Sequence, residues 1–237
     1  MKIAVIIPYY PSGDTVDLYS RCLHSIDKRF EVYSFIDNNH EGVSVVRNKG
    51  IDAALDDKPN YITFLDADDI MEFDAYNQIV AAINEEPEEQ IIQLNHRRRQ
   101  PDGNLYCKFY NRRGTYDLAR LPEFWVGVWN KVYKADLLWD IRFKPGLNHG
   151  EDELFNLMCL AKVRRIYCSE RAHMVHCFDN PQSLSKTVKA EDLIAEQRAL
   201  LEFAEHHVDD GELMDAVRQR QEYLWGNQIY KATLRRQ

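Results

Sequence analysis

The first 95 residues alternate between short apolar runs and stretches with helical spacing, and this rhythm constrains the fold more than any other feature of the chain. Ile3–Ile7 is an unbroken apolar run, as expected of a strand covered on both faces. Asp14–Lys28 follows with Val16, Leu18, Cys22, Leu23 and Ile26 at helical intervals. Glu31–Ile36 predicts a second strand and Val43–Leu55 a second helix. Tyr61–Leu65 predicts a third strand, Glu72–Asn84 a third helix stopped by Pro87, and Gln90–Leu94 a fourth strand. Strands alternating with helices build βαβ units and a largely parallel sheet, so the fold class is α/β.

In such sheets ligands bind beyond the carboxyl ends of the strands. The three loops at those ends read Pro8-Tyr9-Tyr10, Asp37-Asn38-Asn39 and Asp66-Ala67-Asp68-Asp69, and two of them are acidic. Carboxylates one residue apart at the mouth of a buried strand suit Mg²⁺ or Mn²⁺, which prefer carboxylates, phosphate oxygens and water to all-protein cages. One aspartate would suffice to cap the following helix, and three stand within four positions. Asp37 suits either a hydrogen bond to a base or ribose, or an Asx turn. Arg47 and Asn48 fall mid-helix, where Asn is a poor former and Arg47 could reach a nucleotide or a surface salt bridge. Glu151-Asp152-Glu153 reads on its own as an acidic first helical turn.

Beyond Arg97 the alternation breaks down. Pro101-Asp102-Gly103-Asn104 predicts the turn of a hairpin, Asp152–Ala161 a helix and Val163–Cys168 a strand. Ala190–His207 and Gly211–Arg235 are amphipathic and are separated by Asp209-Asp210-Gly211. The 237 residues therefore predict one α/β domain over 1–187, with a nucleotide half (1–95) and an acceptor and catalytic half (96–187), plus a helical appendage over 188–237.

Ile6-Ile7-Pro8-Tyr9-Tyr10, the strand-end Asp37, Val46-Arg47-Asn48-Lys49-Gly50-Ile51 and Phe64-Leu65-Asp66-Ala67-Asp68-Asp69 occur in a familiar order. Val128-Trp129-Asn130-Lys131-Val132-Tyr133 and His149-Gly150-Glu151-Asp152-Glu153-Leu154-Phe155-Asn156 continue it. Over roughly residues 1–187 the chain resembles the nucleotide-sugar-dependent glycosyltransferases of family 2, which have a GT-A fold. The resemblance implies that Pro8, Tyr9 and Asp37 hold the nucleotide base and that Arg47 and Asn48 lie against the nucleotide. Asp66 would face the ribose and share with Asp68 a divalent metal, Mn²⁺ or Mg²⁺. Asp152, with Glu151, would supply the catalytic base of an inverting transfer from a nucleoside diphosphate sugar, expected to be a UDP-sugar. His176 rather than His173 is the candidate third metal ligand, with a structural histidine as the alternative, and Lys131 either neutralises the diphosphate or snorkels at the surface.

Arg97, Arg98, Arg99, Arg112 and Arg113 stand within 18 residues together with Lys108, Tyr106, Phe109 and Tyr110. With Trp129 they form the expected acceptor surface. A basic patch with interleaved aromatics suits phosphates and unpaired bases, so a hydroxymethylated base in DNA, as modified by some bacteriophage enzymes, stands beside a glycan or small-molecule acceptor. A net charge of −8 argues against a generic nucleic-acid coat, though not against a local patch. Nucleotidyl transfer to a sugar phosphate and a non-catalytic nucleotide- or nucleic-acid-binding module are the other classes to weigh. The former would normally carry a glycine-rich phosphate loop after the first strand, and Pro8–Gly13 is not one. Five cysteines without a Cys-x-x-Cys pair predict reduced, buried thiols. No run approaches the ~18 apolar residues of a spanning helix, and the N-terminus reads as a strand, so a cytoplasmic enzyme is expected.

Overall fold

A computed structural model of the chain describes residues 1–11, 15–108, 112–117, 127–180 and 188–223. Phe109, Tyr110, Asn111 and Trp125, and the extension of the last helical stretch to Arg235, lie outside the described residues. The first half is built from β1 (Ile3–Tyr9), α1 (Thr15–Ser25), β2 (Glu31–Ile36), α2 (Val43–Asp56), β3 (Tyr61–Phe64), β4 (Ile70–Met71) and α3 (Ala75–Glu85). Next come β5 (Ile91–Arg99), β6 (Leu105–Lys108), β7 (Gly114–Asp117), β8 (Lys131–Lys134) and a 3₁₀ turn over Ala135–Leu138. The remaining elements are α4 (Glu151–Val163), β9 (Arg165–Cys177), α5 (Ala190–Glu205) and α6 (Gly211–Tyr223).

The strands form one sheet in the order β2-β1-β3-β8-β5-β9-β4, with β6 on β5 and β7 on β9. Pairing is parallel across β2, β1 and β3 and between β5 and β9. It turns antiparallel on both sides of β8. The period-2 geometry of β1 distributes its side chains between two cores. Ile3, Val5 and Ile7 pack with Cys22 of α1 and Ala75, Ile79 and Ala82 of α3. Ala4 and Ile6 pack with Ile51 and Ala54 of α2 and Leu154 and Phe155 of α4. Helices thus cover both faces, as the unbroken apolar run requires.

Several elements depart from expectation: β5 runs on to Arg99 where the spacing predicts an end at Leu94, and β9 and β4 differ more. β9 extends to Cys177, well beyond Cys168, and carries Glu170 and Arg171 mid-strand, where Arg171 is held by Glu85 of α3 at 2.8 Å. β4 is only two residues long and exists through its pairing with Val175 and Met174 of β9. The hairpin of β5 and β6 is present, with Arg99 opposite Leu105 and His96 opposite Lys108. Leu193, Ala199, Leu200 and Ala204 of α5 and Leu213 and Val217 of α6 enter the same apolar cluster as α2, α4 and the sheet.

Candidate active site

The carboxyl ends of β1, β2 and β3 lie side by side, because Ile6 pairs with Phe64 and Tyr9 with Ile36. Arg47, one turn into α2, is the centre of what gathers there. Its guanidinium is buried and reaches Asp66 Oδ1 at 2.9 Å, Glu151 Oε1 at 3.1 Å and Asp152 Oδ1 at 2.6 Å. It also lies 5.2 Å from the centroid of the Phe143 ring. The expected alternative of a surface salt bridge is replaced by a buried node that joins the β3 end to the first turn of α4. Burial alone would lower the proton affinity of Arg47, but the three carboxylates more than reverse this and raise its pKa. Burial pushes Asp152 up to about 7 against the pull of Arg47, and Glu151 and Asp66 add to the rise. The second oxygen of Asp152 accepts the Val128 backbone N–H at 3.2 Å.

The other aspartates of the β3 loop are held from the far side. Asn180 Nδ2 donates to Asp68 Oδ2 at 2.8 Å, and Arg21 of α1 donates to the Asp68 carbonyl at 2.7 Å while pairing with Asp179 at 2.6 Å. Burial and the neighbouring Asp66 raise the pKa of Asp68. Asp69 is buried; it accepts the Cys177 backbone N–H at 2.8 Å and meets His176 Nδ1 at 3.0 Å. Burial raises the pKa of Asp69 against the pull of His176, while for His176 the carboxylate outweighs burial and the pKa also rises. Nothing in the sequence marks Arg21, and Asn180 is visible there only as half of an Asn-Pro turn.

The remaining expected residues are spread around this node. Pro8 lies within β1, and Tyr9 stacks on Tyr19 with centroids 4.0 Å apart, facing α1. The next residue, Tyr10, is half exposed and sits 5.3 Å from the His40 ring. Asp37 is buried and accepts the backbone N–H groups of Glu41 and Gly42, four and five residues on, at 2.8 and 2.9 Å, a longer-range loop tie than an Asx turn, which fixes the approach to α2. Asn48 exchanges two hydrogen bonds with the Phe143 backbone at 2.9 and 2.8 Å, tying α2 to the segment before α4. Lys131 does not reach the surface: it is 1% exposed, and its Nζ donates to the Gly127 carbonyl at 2.7 Å and to Asn130 Oδ1 at 3.0 Å. Burial lowers its pKa to about 7, with Asp152 opposing the shift. Trp129 is buried and stacks on His176, centroids 4.8 Å apart.

Two of the five arginines of the middle segment, Arg97 and Arg113, pair with the protein's own carboxylates. Arg97 pairs with Glu72 at 3.1 Å, and Arg98 lies over Phe178 at 5.5 Å. Arg113 donates to the Tyr167 hydroxyl at 2.9 Å and stands 3.9 Å from Glu85, which also holds Arg171. Arg97, Arg113 and Arg171 line one groove of about 650 Å³ with Glu72, Asp74 and Glu85. Arg99 pairs in register with Cys177, and Arg112 is exposed.

A divalent cation fits this donor set on chemical grounds. Asp66 and Asp68 are hard oxygen donors, and burial together with the nearby Asp66 charge raises the proton affinity of Asp68. Among the described residues no three His, Cys, Asp or Glu side chains converge into a ligand cluster. Completion of the shell by diphosphate oxygens and water is the habit of Mg²⁺ and Mn²⁺.

Comparisons with known proteins bear on the same region. A family model described as "Glycosyl transferase family 2" matches residues 5–148. EpsH of Bacillus subtilis (strain 168), which carries a glycosyltransferase name, is 26% identical over 165 residues, covering 65% of this chain and 46% of EpsH. Glycosyltransferase GlyA of Streptococcus pneumoniae is 26% identical over 136 residues, covering 52% of this chain and 19% of GlyA. The chain thus spans less than half the length of either. Among solved structures, S. aureus TarS 1–349 in complex with UDP-GlcNAc superposes with a TM-score of 0.70 at 17% identity, covering 94% of this chain and 73% of that one. The same protein in complex with UDP gives 0.67 at 18% identity, covering 94% and 72%. At that identity the likeness establishes the fold, a GT-A arrangement.

Proposed function

The chain belongs to glycosyl transferase family 2, and from that premise we propose that it transfers a sugar with inversion from a nucleoside diphosphate sugar to an acceptor hydroxyl. The observation that carries this reading is the Arg47 node, which sets Asp66 and Asp152 on one guanidinium. A donor-side carboxylate and a half-buried carboxylate with raised proton affinity are thereby brought together at the carboxyl edge of the sheet. Asp152 takes the proton of the acceptor hydroxyl as that oxygen attacks the anomeric carbon. The bond from that carbon to the diphosphate breaks, and its electron pair leaves with the diphosphate. A carboxylate ionising near 7 is matched to this task at neutral pH.

Asp68 and Asp66 would hold Mg²⁺ or Mn²⁺, whereas His176, expected as a third ligand, is engaged by Asp69 through Nδ1 and does not converge with them into a three-residue cluster among the described residues. Such an ion neutralises charge on the departing diphosphate. The base of the nucleotide is placed against Tyr10 and His40, the exposed ring pair at the ends of β1 and β2. TarS was solved with UDP-GlcNAc and with UDP, which favours a uridine donor here. Pairing of Arg97 with Glu72 and of Arg113 with Glu85 favours a glycan or small-molecule acceptor over the phosphate backbone of DNA.

The test is a screen of nucleotide sugars with Mg²⁺ or Mn²⁺, read as nucleoside diphosphate release with and without acceptor pools that include hydroxymethylated DNA. Release from a UDP-sugar, stimulated by a glycan pool, is the expected result. Pyrophosphate release from a sugar phosphate and a nucleoside triphosphate, with no turnover of any nucleotide sugar, would overturn the reading.

A further inference from the structure

The segment that delivers Glu151 and Asp152 to Arg47 is itself gripped from a distant part of the chain. Gly150 caps α4 with φ of +78°, a left-handed conformation that favours glycine. Its α-carbon lies so close to α5 that a Cβ built there would overlap Cγ and Cδ of Glu196. Glu196 is 1% exposed, an unusual place for a carboxylate on an amphipathic helix, and its Oε2 meets His149 Nδ1 at 2.7 Å. Two consecutive residues before the acidic turn, His149 and Gly150, therefore rest on one buried side chain. Asn148 adds a longer contact at 3.5 Å to Asp192, one turn earlier on α5.

We propose that Glu196 is a positioning residue of the transfer reaction: it clamps His149 and Gly150 and so sets the direction in which α4 presents Glu151 and Asp152. The assignment rests on the function proposed above for Asp152. A buried carboxylate is costly to desolvate, and a helix needing only to pack would place an apolar residue at this position. Glu196 follows Leu193 and precedes Leu200, both buried in the shared core, so α5 is anchored on either side of the clamp. The C-terminal helices thereby contribute to the site without touching substrate.

The experiment compares Glu196→Ala, Glu196→Gln and His149→Ala with Leu200→Ala, a core change on α5 that leaves the clamp residues in place. One arm follows amide hydrogen exchange over residues 148–155. The other measures kcat and KM for the best donor of the screen. The rise in exchange at 148–152 is expected to be larger in Glu196→Ala and His149→Ala than in Leu200→Ala, whose cavity would open in the cluster shared with Leu154 and Phe155, further along α4. A 10- to 100-fold loss of kcat with donor KM within about twofold is the size expected when a reacting group is displaced by about 1 Å. Glu196→Gln, which keeps shape and a hydrogen-bonding oxygen, should restore most of the activity. The effects of Glu196→Ala and His149→Ala should not add in the double variant.

Unchanged exchange at 148–152 in both clamp variants overturns the clamp. So does a loss of kcat in Leu200→Ala as large as in Glu196→Ala, because the helix would then act through stability alone. Should Glu196→Ala not fold, His149→Ala, at a residue whose side chain is 28% exposed, decides the matter. A wild-type protein that turns over no nucleotide sugar defeats the proposed reaction, while the exchange arm still decides the clamp.

Discussion

Arg47 and Asp152 illustrate how burial converts ordinary residue types into a tuned pair. Replacing Arg47 by Met keeps a long apolar stem but leaves Asp66, Glu151 and Asp152 facing one another without their shared cation. Removal of one partner from a buried ion pair typically costs about 3–5 kcal/mol. The loss should be largest above pH 7, where Asp152 is ionised, and shrink toward pH 5 as it takes up a proton. Urea midpoints of Arg47→Met and wild type across that range check the sign. Arg47→Lys should rescue little, since an ammonium cannot offer one planar fork to three carboxylates. In Asp152→Asn the shape and the oxygen facing the Val128 N–H are retained while the base is lost. Turnover should fall about 10²- to 10⁴-fold, the usual contribution of a positioned general base, with circular dichroism unchanged. In the wild type, turnover should rise about tenfold per pH unit on the acid side and level off near 7, where burial has moved Asp152. The same upward shift makes its contribution to stability decline as pH rises from the ordinary carboxylate range to about 7, because the folded state binds the extra proton. A plateau reaching down to pH 5 would remove Asp152 from the role of base.

Elements whose partners are near in sequence were legible, and those made by distant pairing were not. β2 begins and ends where its apolar spacing predicts, and α2 ends within one residue of it. β4 has no signal of its own, since two residues become a strand only when β9 lies alongside. Arg171 helped hide the length of β9 because its charge is neutralised by Glu85 of α3, 86 residues away along the chain, a compensation invisible to local pattern. At the site, the motif order pointed to Arg47, Asp66 and Asp152, whereas the buried turn of Lys131 and the tethers from Arg21, Asn180 and Glu196 depend on tertiary contact. Gly50 shows how a single position can decide an element's packing. It lies on the buried side of α2, where a Cβ would fall well inside contact with Cγ2 of Ile6 on β1. Its backbone is helical, so an alanine there would normally gain helix propensity. The clash should win: Gly50→Ala is expected to destabilise by about 1–3 kcal/mol, the usual cost of overpacking a core. Shortening the opposing side chain should recover part of the loss, so Gly50→Ala with Ile6→Ala should cost less than the sum of the two. Chemical denaturation of the three variants measures it, and an additive or stabilising outcome would show that α2 can slide away from β1.

Across the whole molecule, the division at residue 187 can be tested by how the last two helices are held. Leu193, Leu200, Leu213 and Val217 are each no more than 2% exposed, and they lie in one cluster with Leu154, Leu157 and Leu160 of α4 and Ile62 and Phe64 of β3. Full burial of a side chain of this size contributes about 1.5–3 kcal/mol, so these four residues together contribute about 6–12 kcal/mol. That equals the whole net stability of a typical domain, about 5–15 kcal/mol. Arg164, in the left-handed residue that ends α4, adds ion pairs to Asp210 and Glu212 at the start of α6. An appendage that merely followed a finished domain could be removed with little effect. Here its removal would uncover Leu154, Leu157 and Leu160 of α4, along with Glu196's partner His149. A chain ending at residue 187 should therefore fail to give a cooperative unfolding transition, whereas the full chain should give one. Should the truncated protein instead unfold cooperatively with a midpoint near that of the full chain, α5 and α6 would be peripheral. Their apolar contacts with α4 would then contribute far less than their burial implies.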